Sequence, residues 1–144
     1  MPFSKLQLSN NLLKALKENE YEEPTKIQEK VIPLILNNDD IMARAQTGSG
    51  KTASFVLPIL ELFSKDIKEG KAKIRTLVLT PTRELTLQVA NAFNIFGNFL
   101  DNKPKVVSVI GGEHIGEQLL AIQKGCDIVV ATSGRLLDII NKKQ

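Results

Sequence analysis

Four short apolar runs, each followed by a stretch with helical spacing, constrain this chain more than any other feature. The runs are DIMARA (40–45), RTLVLT (75–80), KVVSVIG (105–111) and CDIVVAT (126–132). They are rich in β-branched residues and apolar almost without alternation, the pattern of strands buried on both faces. The other stretches repeat their apolar residues at three- and four-residue intervals. Residues 9–19 place Leu12, Leu13 and Leu16 on one face behind Ser9 as an N-cap. A second begins at Thr25 and carries Ile27, Val31, Leu34 and Ile35, with Pro33 expected to break or kink it. Further helices are predicted over 50–64, 82–100, 115–123 and 132–142, and in the long one Leu85, Val89, Phe93 and Phe96 form a core face. Strand alternating with helix is the mark of right-handed βαβ units, so the fold class is α/β, a parallel sheet flanked by helices. Residues 65–73, KDIKEGKAK, read as a surface loop.

Composition narrows the class without choosing a function. The 144 residues are 42% hydrophobic, 24% charged and 5% aromatic, which excludes disordered and collagen-like chains and predicts one domain with one core. A single cysteine excludes an internal disulfide, and Cys126 in the run CDIVVA reads as a buried thiol in a reducing compartment. No apolar run approaches the ~18 residues that span a bilayer, and MPFSKLQLS lacks the apolar stretch of a signal peptide, so a cytoplasmic protein without a membrane partner is expected. The formal charge of +3 permits a polyanionic partner and does not require one.

The first chemical signal is Ala45-Gln46-Thr47-Gly48-Ser49-Gly50-Lys51-Thr52, which leads from the first run into a helix. Against the phosphate-loop pattern G-x-x-x-x-G-K-[ST], only Ala45 departs. Gly48 and Gly50 let the backbone curl so that successive N–H groups face an anion, and the following helix N-terminus adds partial positive charge. Lys51 is placed to reach β- and γ-phosphates, and the Thr52 hydroxyl to ligate Mg²⁺. This loop predicts a nucleotide-phosphate site and leaves the base open.

The segment Glu20-Tyr21-Glu22-Glu23-Pro24-Thr25-Lys26-Ile27-Gln28 carries two readings. Thr25 and Gln28 have the spacing of a capping box, in which each side chain bonds the other's backbone amide. The Gln28 carboxamide also matches the amino group and N7 of adenine, whereas guanine presents two acceptors there.

The segment resembles the glutamine motif of DEAD-box RNA helicases, which runs Gly, aromatic, two variable residues, Pro-Thr, one variable, Ile-Gln, with an aromatic seventeen residues upstream at the place of Phe3. Glu20 stands where the family has Gly; if that position needs positive φ, the change costs about 1 kcal/mol. AQTGSGKT is the family's own form of the phosphate loop, Ala45 included. Pro81-Thr82-Arg83-Glu84-Leu85 resembles its PTREL motif, Gly111-Gly112 its glycine pair, and Ala131-Thr132-Ser133-Gly134-Arg135 its TPGR motif with Ser133 in place of Pro. Each follows a predicted strand, at the carboxyl ends where open parallel sheets place ligands. Read alone, Thr82 and Thr132 are ordinary N-caps and His114 a surface residue.

The resemblance covers Phe3 to Arg135 and implies an incomplete RecA-like domain, with the glutamine-motif region at 1–37 and the phosphate-loop and RNA-facing βα units at 38–144. It implies ATP bound by Phe3, Tyr21, Thr25, Gln28 and Ala45–Thr52, Mg²⁺ on Thr52, and Lys51 and Thr52 in catalysis. Single-stranded RNA would be gripped through its backbone by Pro81, Thr82, Arg83, Gly111, Gly112, Thr132, Gly134 and Arg135. The family pattern continues with an Asp-Glu-Ala-Asp tetrad, a Ser-Ala-Thr segment and a second RecA-like domain. None of these occurs in the 144 residues, so the chain reads as a fragment that does not hydrolyse ATP and whose partial sheet is marginally stable or self-associating. A non-catalytic binding module and a different phosphate-loop NTPase are the alternatives; the absence of an Asn-Lys-x-Asp guanine-reading motif weighs against a GTPase.

Overall fold

A computed structural model describes residues 1–66 and 72–142. A short 3₁₀ turn, Phe3–Lys5, opens the chain, followed by α1 (Asn10–Glu18), α2 (Lys26–Leu36), α3 (Lys51–Lys65), β1 (Thr76–Thr80), α4 (Arg83–Phe96), β2 (Val106–Val109), α5 (Ile115–Gln123), β3 (Ile128–Thr132) and α6 (Ser133–Lys142). These form two compact units, one of Met1–Ile67 with Ala92–Lys103, the other of Lys68–Asn91 with Pro104–Gln144. Most of the loop expected at 65–73 falls on 67–71, outside the described residues.

The first unit is helical. α1 buries Leu12, Ala15 and Leu16 as its periodicity requires, and α2 packs on α3. Ser9 does occupy the N-cap position of α1, but its hydroxyl makes no capping bond. Its backbone N–H instead donates to the buried carboxylate of Glu61, at 2.7 Å, and that link to α3 fixes the entry of α1. Pro33 does not interrupt α2, which runs on to Leu36. It deprives only the Glu29 carbonyl of a bond, and it lies exposed while Val31 and Ile32 bury the opposite face. Glu20 adopts φ +63°, the left-handed conformation that glycine would take without strain.

The predicted strand at 40–45 is absent. No segment among the described residues pairs with it, and a strand exists only through its ladder. Ile41 and Met42 are accordingly exposed, Met42 fully.

The second unit carries a three-stranded parallel sheet in the order β1-β3-β2. The α/β fold with a parallel sheet flanked by helices is therefore present, with α5 on β2 and α6 on β3. Only β3 is buried along its length; β1 exposes Leu77 and Leu79, so the expectation of strands covered on both faces holds for the central strand alone. Val109, Cys126, Val129, Ala131 and Ile139 form the core, with Ile115, Leu119 and Ile122 of α5 against it. The register sets Thr80 beside Thr132, and Leu79 and Val109 each beside Ala131, which brings the carboxyl ends of all three strands level. Before the sheet, Asp127 and Lys105 exchange bonds, the Asp127 carboxylate accepting from the Lys105 N–H at 2.8 Å.

Cys126 is buried, and that burial, reinforced by the charge of Asp127, pushes its thiol above the ordinary value. The folded state thus holds a proton that the unfolded state releases above about pH 8.5. Stability contributed by this thiol is complete below that pH and declines as pH rises further. A thiol-specific chromogenic reagent should react only at the rate of unfolding; immediate reaction in native buffer would contradict the burial.

Candidate functional site

The first cluster lies in the helical unit and is built on the loop 45–52. Gly48 and Gly50 adopt φ of +82° and +84°, conformations that side chains rarely take. The Ser49 N–H and hydroxyl both bond the Gln46 carbonyl, closing the turn, and Gly50 is the N-cap of the fifteen-residue α3. The free amides of the first helical turn and the helix dipole thus meet at one place, the arrangement that binds phosphate. Lys51 is exposed and Thr52 half-buried, at the first two positions of α3.

Gln28 sits in the wall behind this loop, only 1% exposed. The capping box is present: the Thr25 N–H donates to Gln28 Oε1 at 2.9 Å, and the Gln28 N–H to Thr25 Oγ1 at 3.5 Å. In addition Gln28 Nε2 donates to the Gly50 carbonyl at 3.1 Å, a link across 22 residues that spacing alone does not reveal. A Cβ on Gly50 would overlap Gln28 Nε2, so glycine is required there for close approach as well as for φ. One carboxamide N–H and one Oε1 lone pair carry no other bond among the described residues, but at 1% exposure the side chain, like that of Phe3, presents almost no surface to a ligand. Thr25, Lys26, Ile27, Lys30, Arg44, Ala45 and Ser49 line a hollow of about 270 Å³ beside the loop; three of these side chains are cationic and none is acidic.

Phe3 is less available, whereas Tyr21 is exposed. Phe3 is 4% exposed and presents almost no ring surface to a ligand. Tyr21 packs edge-on against Phe96 with centroids 5.3 Å apart, which braces the segment leading to Thr25.

The loop suits a nucleotide phosphate and its metal counter-ion. Among the described residues no group of three or more His, Cys, Asp or Glu side chains could hold a metal ion.

The second cluster lies in the sheet unit, where the β1–α4 loop, the β2–α5 loop and the β3–α6 junction at the carboxyl ends are tied to one another. Thr82 caps α4, its hydroxyl accepting from the Leu85 N–H at 3.1 Å, the capping role its sequence position suggests. Arg83 Nη1 donates to the Gly111 carbonyl at 3.2 Å and lies against Gly112, whose φ of +85° and lack of a Cβ make room for it. Arg135 Nε donates to Gln118 Oε1 at 3.1 Å and Nη2 to the Glu113 carbonyl, while Gln118 Nε2 donates to the Ile110 carbonyl at 2.9 Å. Both arginines are thus held by the protein and keep further N–H groups for an anion. Pro81, Gly111, Gly112 and Gly134 are exposed, Thr132 is half-buried as the last residue of β3, and α6 starts at Ser133 with no intervening loop. His114 is an exposed residue at the N-cap position of α5.

Gln118 escapes the sequence reading. Its signal is a polar residue in the phase of Ile115, Leu119 and Ile122, where α5 should be apolar.

The model of the DEAD/DEAH box helicase family matches residues 25–144. The chain is 42% identical to the DEAD-box ATP-dependent RNA helicase CshA of Bacillus subtilis, over 98% of this chain and 27% of that protein. It is 46% identical to a probable ATP-dependent RNA helicase of Methanocaldococcus jannaschii, over 99% of this chain and 37% of the relative. The crystal structure of a DEAD box protein from the hyperthermophile Methanococcus jannaschii superposes with a TM-score of 0.86 at 44% identity, covering 99% of this chain and 37% of that one. The chain therefore spans about a quarter to a third of the length of these relatives. With a matching family model over most of its residues, a shared α/β architecture and the motifs in place, the chain belongs to the DEAD/DEAH box helicase family.

Proposed function

We propose that this chain is the ATP-binding and RNA-binding portion of an ATP-dependent RNA helicase, the activity named for the relatives. The carrying observation is the bond from Gln28 Nε2 to the Gly50 carbonyl, which joins a base-reading carboxamide to a phosphate loop with two left-handed glycines. Ala45–Thr52 cradles the phosphates, Lys51 reaches their outer oxygens and Thr52 ligates Mg²⁺, which neutralises phosphate charge when bound. Thr25 orients Gln28, whose remaining donor and acceptor read adenine after the residues that cover them move aside. Pro81, Thr82, Arg83, Gly111, Gly112, Thr132, Gly134 and Arg135 form the RNA-facing surface, offering amides and guanidinium groups to phosphate oxygens without touching bases.

The domain organisation in this reading is an amino-terminal part of a first RecA-like domain, 1–37 carrying the glutamine motif and 38–144 the βα units. A second RecA-like domain is its partner in the whole enzyme, and the open β1 edge with Leu77 and Leu79 exposed favours self-association of this chain.

Three outcomes test the reading. In amide NMR, ADP should shift Gly48, Gly50 and Lys51 of the labelled chain while GDP shifts them far less; equal responses would return Gln28 to capping alone. Because the 144 residues hold no Asp-Glu-Ala-Asp tetrad, ATP should be bound and not turned over, with or without RNA; RNA-stimulated phosphate release by the purified chain would overturn this. With roughly two to three phosphate contacts, the logarithm of single-strand RNA affinity should fall against log salt with a slope of about −2. A flat salt dependence would remove RNA from the proposal.

A further inference from the structure

The two loops and the β3–α6 junction of the sheet unit are joined pairwise, and two of the joints use residues already discussed. Arg83 ties the β1–α4 loop to the β2–α5 loop, and Arg135 with Gln118 ties the β3–α6 junction to the β2–α5 loop. The remaining joint, between the β1–α4 loop and the end of β3, is made by two hydroxyls. Thr80 Oγ1 and Thr86 Oγ1 lie 2.5 Å apart, with Thr80 7% and Thr86 0% exposed. The Thr82 carbonyl, one residue before Arg83, is 3.0 Å from Thr86 Oγ1 and 3.2 Å from Thr80 Oγ1. The Ala131 carbonyl, one residue before Thr132, is 3.5 Å from Thr80 Oγ1.

We propose that Thr80 and Thr86 are positioning residues that hold the Thr82–Arg83 turn and the Thr132–Arg135 segment at a fixed separation for one RNA backbone; this rests on the RNA-facing reading above. Two hydroxyl protons serve these bonds. In one arrangement Thr86 donates to the Thr82 carbonyl and Thr80 to Thr86 Oγ1. In a second Thr80 donates to the Ala131 carbonyl and Thr86 to Thr80 Oγ1. The first arrangement, and a third in which Thr80 donates to the Thr82 carbonyl and Thr86 to Thr80 Oγ1, tie the turn to β1; the second adds the Ala131 carbonyl, and the direct pairing of β1 with β3 at Thr80 and Thr132 carries the restraint to the Thr132–Arg135 segment. Thr86 is fully buried and Thr80 nearly so, which suits residues that act by positioning their neighbours. Spacing matters because two cationic groups act on one strand together only if their separation matches that of its phosphates.

The test replaces hydroxyls by methyls of nearly the same shape, Thr80→Val and Thr86→Val, with Thr86→Ser restoring the hydroxyl. Single-strand RNA affinity, its salt slope, ADP affinity and the melting temperature are measured for each 144-residue chain. The inference expects RNA affinity to fall roughly three- to thirty-fold in the valine variants, with ADP affinity retained and the salt slope unchanged, because the same number of phosphates is neutralised. Thr86→Ser should recover most of the loss. A lower melting temperature with wild-type RNA affinity would overturn the inference and leave a structural pair. A reduced salt slope would overturn it too, since fewer phosphates would then be neutralised, whereas a misplaced cation still neutralises its own. If the unsubstituted chain itself fails to bind RNA, the proposed function falls first, and the two failures are told apart by that control. If the valine variants do not fold, Thr86→Ala is compared with Thr86→Ser: a loss of RNA affinity in the alanine variant alone, with ADP affinity retained, supports the inference, and equal affinity in the two overturns it.

Discussion

The sheet unit depends on β3 pairing with a neighbour on each side. Ile128 is opposite Thr76 on one flank and Val106 on the other, and the register holds to the ends of the strands. Parallel pairing points all three strands the same way, so the loops that follow β1 and β2 and the start of α6 after β3 emerge together. A slip of one residue would turn the core residues Val129 and Ala131 toward the opposite face and separate the loops. The arginines, the glycine pair and the Thr80–Thr86 hydroxyls inherit their proximity from that register.

The helical unit solves a different problem, that of holding an irregular loop still. A loop rich in glycine has many conformations, and an anion site made of its amides works only if most are suppressed. Gln28 supplies the restraint. Its Oε1 is bound within the first turn of α2 and its Nε2 to the carbonyl that starts α3, so one buried carboxamide couples two helix starts. The capping and adenine readings of the same residue are compatible, because a carboxamide has four bonding positions and the protein occupies two.

The parts of the fold legible in the sequence were those governed by local period. Three of the four apolar runs are strands within a residue or two, and the helix expected at 115–123 is found there. The run at 40–45 has strand composition and no partner, and composition cannot supply one. The helix expected at 82–100 ends at Phe96, and the turn Gly97–Phe99 completes the stretch. At the site, the motif residues were legible and the bonds between them were not. Gln28, Thr86 and Gln118 share a signature in retrospect: each is polar at a position where its helix turns inward, with Val31 and Ile32, Val89 and Ala90, or Ile115 and Leu119 on the same face. Each proves to hold a loop or a helix start in place.

Whatever depends on neighbours in the chain was already written in the order of its residues: the helix periods, the phosphate-loop glycines and the capping box. These follow from backbone sterics and side-chain spacing within a few residues. Folding in three dimensions settled which run becomes a strand, which face of β1 stays open, and which carbonyl each buried polar side chain finds. Those outcomes rest on pairings across 22 residues for Gln28 with Gly50 and 28 for Arg83 with Gly111. A hydrogen bond has a reach of about 3 Å, and nothing in the spacing of a sequence states which distant groups the fold will bring within it.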